Sequence, residues 1–320
     1  MKQKQIQKVI VINTPYDDVF RTMVNDCARL LIPLINLLFE KDYDINDPIE
    51  IHHNEYFIHT KSGDEEKRIT DSFFTINGEM YILECQSTAD NTIIIRIIEY
   101  AFHGALETAT LISNNRLEMT FPRTAVLYLR SDDKTPEKME CVIHFPEGDF
   151  QTQIPVIKIN DYTLEDLFDK KLYFLIPFYA FNHEKDFEIY NNDSAKLEEL
   201  KQEYKEILYK LEQAKSSGDL YQINVRTIQD MSKKVVDNLA AKYKNIKKGV
   251  ASIMGGRILD YEGKKIFNEG NARGINQTNK RVATDMIKRH LPISLISEIS
   301  QLSEDVIYSI AKSIGISIVK

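Results

Sequence analysis

The chain has 320 residues, 43% of them apolar and 28% charged, with 12 Gly and 9 Pro; this composition excludes disordered, collagen-like and low-complexity classes and predicts a folded chain with a sizeable core. The net charge of −7 excludes a protein that coats nucleic acid uniformly, and the longest apolar run, Leu30 to Phe39, is about half the ~20 residues that cross a bilayer. No positive-plus-apolar leader opens the sequence, and Cys27, Cys85 and Cys141 are too far apart for a disulfide framework or a CxxC zinc site, so a cytoplasmic, reduced protein without a membrane partner is expected.

The spacing of Leu30, Leu31, Leu34, Ile35, Leu37 and Leu38 predicts a helix over Pro15 to Glu40, with Pro33 as its kink or division. Extended segments follow at Ile49 to Thr60, Arg68 to Ile76 and Met80 to Gln86, and Asn77-Gly78 joins the last two as a two-residue hairpin turn. A helix from about Asp90 to Ser113 precedes strands at Thr124 to Leu129, Cys141 to Phe145 and Ile154 to Ile159. The order helix, three strands, helix, strand specifies an α/β (α+β) fold with a central mixed sheet flanked by helices. Thr163 and Asp166 form a capping box for a helix running into Leu172 to Phe178. Leu197, Leu200, Tyr204, Ile207, Leu208 and Leu211 then mark an amphipathic helix, broken at Ser216-Ser217-Gly218-Asp219 and followed by another to about Lys248. The resulting division is a core over 1–185, a helical hairpin over 186–250 and a basic, helical tail over 251–320.

A turn at Asn77-Gly78 pairs residues whose numbers sum to 155, which sets Asp71 opposite Glu84 and Ile69 opposite Gln86. Side chains alternate along a strand, so Asp71, Glu84 and Gln86 share one face, with two carboxylates side by side. On a half-exposed hairpin such a pair is simply solvated. Here both faces are partly apolar, Ile82 and Phe73 on one and Phe74, Tyr81, Leu83 and Cys85 on the other. A buried pair of acids calls for a cation between them, and the hard oxygen donors suit Mg²⁺ or Mn²⁺. Cys85, on the opposite face, reads as core.

In this order the segments Thr14-Pro15-Tyr16-Asp17-Asp18-Val19-Phe20-Arg21, Arg68-Ile69-Thr70-Asp71, Ile82-Leu83-Glu84-Cys85-Gln86-Ser87, Arg96-Ile97-Ile98-Glu99-Tyr100 and Leu172-Tyr173-Phe174-Leu175-Ile176-Pro177-Phe178 resemble the PD-(D/E)XK nuclease superfamily. Within it they are similar to the Rpn-type recombination-promoting nucleases and nuclease-family transposases. The resemblance covers roughly residues 14 to 180. It implies a restriction-endonuclease-like core and Mg²⁺- or Mn²⁺-dependent DNA cleavage, possible in a recombination or transposition setting, with Asp71 and Glu84 as metal ligands. Gln86 stands where the wider superfamily has lysine, and its implied part is to orient water or phosphate. A further metal-binding acid from the first helix is implied at Asp17, with Glu40 as the alternative; either is otherwise a helix-terminal surface acid.

Arg96, Tyr100, His103 and Glu107 fall on one helical stripe, which either faces phosphate through Arg96 and Tyr100 or pairs Arg96 with Glu99 and packs Tyr100. His52, His53 and His59 lack a metal-ligand spacing and read as polar strand residues, and the Gly-Gly and Gly-rich stretches lack a phosphate-loop context. From Arg226 to His290 there are 15 Lys and Arg against 6 acids, either a solvated helical face or a surface for the DNA backbone, with Lys247, Lys248, Lys264 and Lys265 as contacts. Ser294 to Ile299 and Ser303 to Ile314 have helix-turn-helix spacing, but the acids opening the second helix favour packing or assembly over groove reading. The rival to a nuclease is a catalytically silent DNA-binding or assembly protein with the same fold; the amphipathic run Leu197 to Leu211 also allows a homo-oligomer without DNA.

Overall fold

In the computed structural model Asn77 and Gly78 both take positive φ, 50° and 82°, the type I′ geometry whose twist matches that of the flanking strands. They join β4 (Phe74–Ile76) to β5 (Glu79–Gln86), paired Phe74 with Tyr81, Thr75 with Met80 and Ile76 with Glu79. Over these three pairs next to the turn the expected register is the observed one. The structure describes residues 14–52, 55–59, 65–87, 92–255, 283–284, 286–288, 293–300 and 304–313.

A six-stranded mixed sheet forms around β5. It also contains β1 (Ile49–Ile51), β8 (Arg123–Tyr128), β9 (Lys138–Phe145) and β10 (Gly148–Lys158), in the order β1-β4-β5-β8-β10-β9. Strand β8 runs parallel to both β5 and β10, and the outer pairs are antiparallel. Parallel neighbours need a crossover, which α3 (Ile93–Glu107) supplies between β5 and β8. Two short hairpins stand outside this sheet: β2 (Glu55–His59) with β3 (Glu65–Ile69), and β6 (Thr110–Ser113) with β7 (Arg116–Glu118).

One sheet face buries Phe74, Ile76, Tyr81, Leu83, Cys85, Ala125 and Leu127 in the main core. The other packs on α3, through Phe73, Met80 and Ile82 with Tyr100, and Val126, Tyr128 and Val156 with Ile93 and Ile97. The main core is closed by α1 (Pro15–Asp26), α2 (Ile32–Phe39), the 3₁₀ stretch Tyr173–Asp186 and α5 (Phe187–Asn192). Helices α6 (Ser194–Ser216), α7 (Gln222–Leu239) and α8 (Lys244–Ile253) complete it, burying Leu200, Ile207, Leu211, Val225, Ile228, Val236 and Val250 in the same cluster.

Several expected boundaries move. The first helix divides at Cys27, where α1 and the following helical stretch meet at 107°. Pro33 instead occupies the first turn of α2, where its missing N–H leaves no bond unmade. Helix α3 ends at Glu107, and Thr110–Ser113 is a strand. The Thr163–Asp166 capping box forms as expected, with Asp166 N–H donating to Thr163 Oγ1 at 3.1 Å. Its helix α4 (Leu164–Asp169) then stops before Lys171, which adopts φ 54°. Leu172 caps the buried 3₁₀ stretch, to which residues 173–178 belong and which tolerates Pro177 in its interior.

The chain forms two compact units, Met1–Ile258 and Leu259–Lys320. In the second, α9 (Ile293–Ser300) and α10 (Glu304–Ser313) pack together, and Ile296, Ile307 and Ala311 share a cluster with Ala283, Met286 and Ile287. No single helix among the described residues is long and apolar enough to cross a membrane; the bent pair formed by Pro15–Asp26 and Ala28–Phe39 reaches that length and composition only together, and most of its large apolar side chains are core.

Candidate active site

The antiparallel ladder between β4 and β5 ends at Phe74 and Tyr81. Beyond it, Ser72 takes the place of a strand neighbour: its Oγ donates to the Leu83 carbonyl at 2.7 Å and accepts the Leu83 N–H at 3.0 Å. Asp71 thus lies outside the ladder, and the expected pairing of Ile69 with Gln86 does not form, because Ile69 pairs with Glu55 in the separate hairpin. The two acids nevertheless meet. The Asp71 N–H donates to Glu84 Oε1 at 3.0 Å, and the Cys85 N–H donates to Asp71 Oδ2 at 3.0 Å. Each carboxylate therefore has one oxygen fixed by a backbone amide. In a regular continuation of this ladder Asp71 and Glu84 would be a non-hydrogen-bonded pair, with the Asp71 amide facing away from β5.

Both acids are buried, Asp71 at 7% exposure and Glu84 at 1%. Burial, opposed by the Cys85 amide and by Arg21 and Arg96 and reinforced by Asp17, pushes the Asp71 carboxyl up to about 6. Burial together with the Asp71 charge pushes Glu84 well above the usual carboxylate range. A desolvated acidic pair of this kind favours protonation or a cation. Burial likewise raises the Cys85 thiol well above its ordinary value, and with its side chain in the α1-side cluster it is a core residue.

Gln86 closes β5 at 7% exposure, its Nε2 donating to the Cys85 carbonyl at 3.0 Å. It shares a row with Tyr128 and Lys158 across the parallel strands, at their carboxyl ends, where open α/β sheets place ligand sites. The strand exit is clamped by Arg130, which donates to the Ser87 carbonyl at 2.6 Å and makes two bonds, of 2.6 and 2.7 Å, to Glu184. Its guanidinium lies 4.9 Å from the Phe181 ring centroid and 5.6 Å from that of Tyr16.

Helix α1 brings two side chains to this end. Asp17 closes a capping box with Thr14, accepting its N–H at 2.6 Å, and one turn later Arg21 Nη2 donates to Asp71 Oδ1 at 3.3 Å. Asp17 is therefore near the pair while serving as a helix cap. Glu40 is not brought there: exposed in the left-handed conformation that ends α2, it lines a cavity of about 930 Å³ with Asn77, Gly78 and Glu79 at the turn end of β5.

On α3, Arg96 is close enough to lower the titration of both acids. Tyr100 is 1% exposed among Phe73, Met80 and Ile82, so its ring packs instead of facing solvent, and Glu107 is exposed at the far end of the helix. His52 contacts Thr75 Oγ1 at 3.3 Å and the Phe73 ring; His53 lies outside the described residues, and of His59 only the backbone in β2 is described. Lys247 is half-buried and Lys248 exposed on α8, while Lys264 and Lys265 lie outside the described residues. No group of three or more His, Cys, Asp or Glu suited to a metal occurs among the described residues. The donor set at the pair is thus two carboxylates, a number compatible with Mg²⁺, which keeps waters and takes further oxygens from a phosphate substrate.

Comparison with family models, with curated proteins and with solved structures gave no match.

Two contributors were given no role in the sequence reading. Ser72 had no signal beyond adjacency to Asp71. Arg21 had one, as the basic residue that ends the Thr14–Arg21 segment, one helical turn after Asp17.

Proposed function

We propose that the protein is a metal-dependent DNA endonuclease with a PD-(D/E)XK, restriction-endonuclease-like core, and that Asp71, Glu84 and Gln86 are its central residues. The observation that carries this reading is the pair of buried carboxylates, Glu84 near the carboxyl end of β5 and Asp71 just ahead of β4, each held through one oxygen by a backbone amide and each raised above its ordinary range by burial. Asp71 and Glu84 would hold Mg²⁺ or Mn²⁺, which when bound activates water and neutralises charge on the phosphodiester. Gln86, with its amide at the strand end, would hydrogen-bond water or a phosphate oxygen without adding charge, and Arg96 adds positive potential from α3. Lys247 and Lys248 on α8, with Lys264 and Lys265 further along, would supply phosphate contacts with little sequence preference.

Supercoiled-plasmid nicking in Mg²⁺, Mn²⁺, Ca²⁺ or EDTA, beside Asp71→Ala and Glu84→Ala, tests the proposal. Cutting in Mg²⁺ or Mn²⁺ that both variants lose is the expected result. An intact plasmid in every lane, with its mobility shifted equally by wild type and variants, overturns catalysis in favour of a silent DNA-binding protein. The neutral Gln86, folded onto the Cys85 carbonyl, is the observation that keeps this second reading in play.

A further inference from the structure

Arg21 meets the acidic pair in an unusual state of satisfaction. A guanidinium offers five N–H donors in one plane. Arg21 places one of them on Asp71 Oδ1 at 3.3 Å, long for a charged pair, and its Nε–H is buried without an acceptor. Its side chain is 22% exposed against 9% for Asp71, so it reaches the pair from a wetter position. The other Asp71 oxygen is taken by the Cys85 amide. Oδ1, met by the longer bond, is therefore the less firmly held of the two oxygens and the easier one for another cation to take.

We propose that Arg21 is an exchangeable counter-cation. In the metal-free protein it compensates Asp71; when a divalent ion takes Oδ1, Arg21 releases that oxygen and turns its fork to a phosphate oxygen of the DNA backbone. The inference rests on the metal-dependent reading above. Two cations on one carboxylate oxygen repel each other, and a planar guanidinium with unfilled donors matches phosphate better than any neutral group. The exchange also gives the site a positive group where Gln86 supplies none. Lys158, in the same cross-strand row as Gln86, has its ammonium committed to Glu137, just before β9.

The test is Mn²⁺ titration calorimetry on the full chain, together with binding of a labelled DNA duplex in Ca²⁺, for wild type, R21Q, R21K and D71N. R21Q is expected to tighten Mn²⁺ roughly tenfold by removing the competing charge and to weaken duplex binding by a similar factor. R21K, with its charge kept and the fork lost, is expected to hold Mn²⁺ within about twofold of wild type and still to weaken the duplex. Opposite shifts in the two affinities are what a merely structural arginine would not produce. Unchanged or weaker Mn²⁺ binding in R21Q overturns the exchange and makes Arg21 a brace for Asp71; unchanged duplex binding in R21Q or R21K overturns its phosphate half. Should R21Q melt early, R21K decides the phosphate half and wild-type duplex affinity in that variant refutes it. Mn²⁺ uptake lost in D71N but indifferent to R21Q refutes the exchange alone, whereas wild type that takes up no more Mn²⁺ than D71N discards the metal-dependent reading with it.

Discussion

Strand β5 carries two glutamates five residues apart, roughly 17 Å along the strand, with opposite electrostatic fates. Burial raises the Glu79 carboxyl, but hydrogen bonds from Lys41, Tyr43, Arg123 and Tyr81 more than reverse this and hold it well below the ordinary range. Glu84 receives the Asp71 N–H, shares its site with a second acid and is raised. At the turn end the protein supplies its own donors, and the acid is part of the framework. At the other end burial and the neighbouring acid outweigh the donors among the described residues, and the proposed metal site rests on that raised pair. Counting acids along the strand does not separate the two; accounting for their partners does.

The largest expected effect is on activity. Glu84→Gln keeps an oxygen for the Asp71 amide but removes the charge, and plasmid nicking should fall roughly 10²–10³-fold; Glu79→Gln should leave nicking within about threefold. The contrast should reverse in stability. Denaturant titration of Glu79→Gln should show a loss of about 1–3 kcal/mol, because the Lys41 and Arg123 pairs lose their carboxylate. Glu84→Gln, in EDTA at neutral pH, should raise the melting temperature by relieving a buried like-charge pair.

That gain has a pH signature with a definite sign. Burial pushes the Asp71 carboxyl up, to about 6, and raises Glu84 as well, so across this window the folded state keeps protons that the unfolded chain has released. Their contribution therefore turns unfavourable as pH rises from about 4 through 6 and beyond. The stability advantage of Glu84→Gln in EDTA should grow over that range and shrink when Mn²⁺ is added; an advantage independent of pH would break the comparison. Ser72→Ala should cost about 1–3 kcal/mol by stranding both peptide groups of Leu83. At the turn end Gly78→Ala, at φ 82°, should cost only about 1 kcal/mol, read by the same titration.

How much of this was legible in sequence follows the range of the interactions involved. The Asn77-Gly78 turn and the Thr163–Asp166 box are local chemistry, and both form as read. The break at Cys27 is not local: its thiol packs beside Asn224, 3.6 Å from Nδ2 and 197 residues away in sequence. The extended reading of Arg68 to Ile76 found the right face for Glu84 and Gln86 but missed that Ser72 interrupts the ladder, since a serine in a strand pattern carries no mark of its role. It is that interruption which turns the Asp71 amide toward Glu84. The expectation for Tyr100 left packing and phosphate contact open, and only the arrival of Phe73, Met80 and Ile82 around the ring selects packing.

Helix α1 has consequences for modularity. The helix that carries Asp17 and Arg21 to the acidic pair packs on α7, more than 200 residues later, with Lys234 paired to Asp18 and Asn224 beside Cys27. A fragment cut near residue 185 would keep every side chain of the candidate centre and lose the support behind two of them. The smallest graftable piece therefore extends through the helical hairpin, and changes on α7, far from Asp71 in sequence, reach the centre through the seating of a single helix.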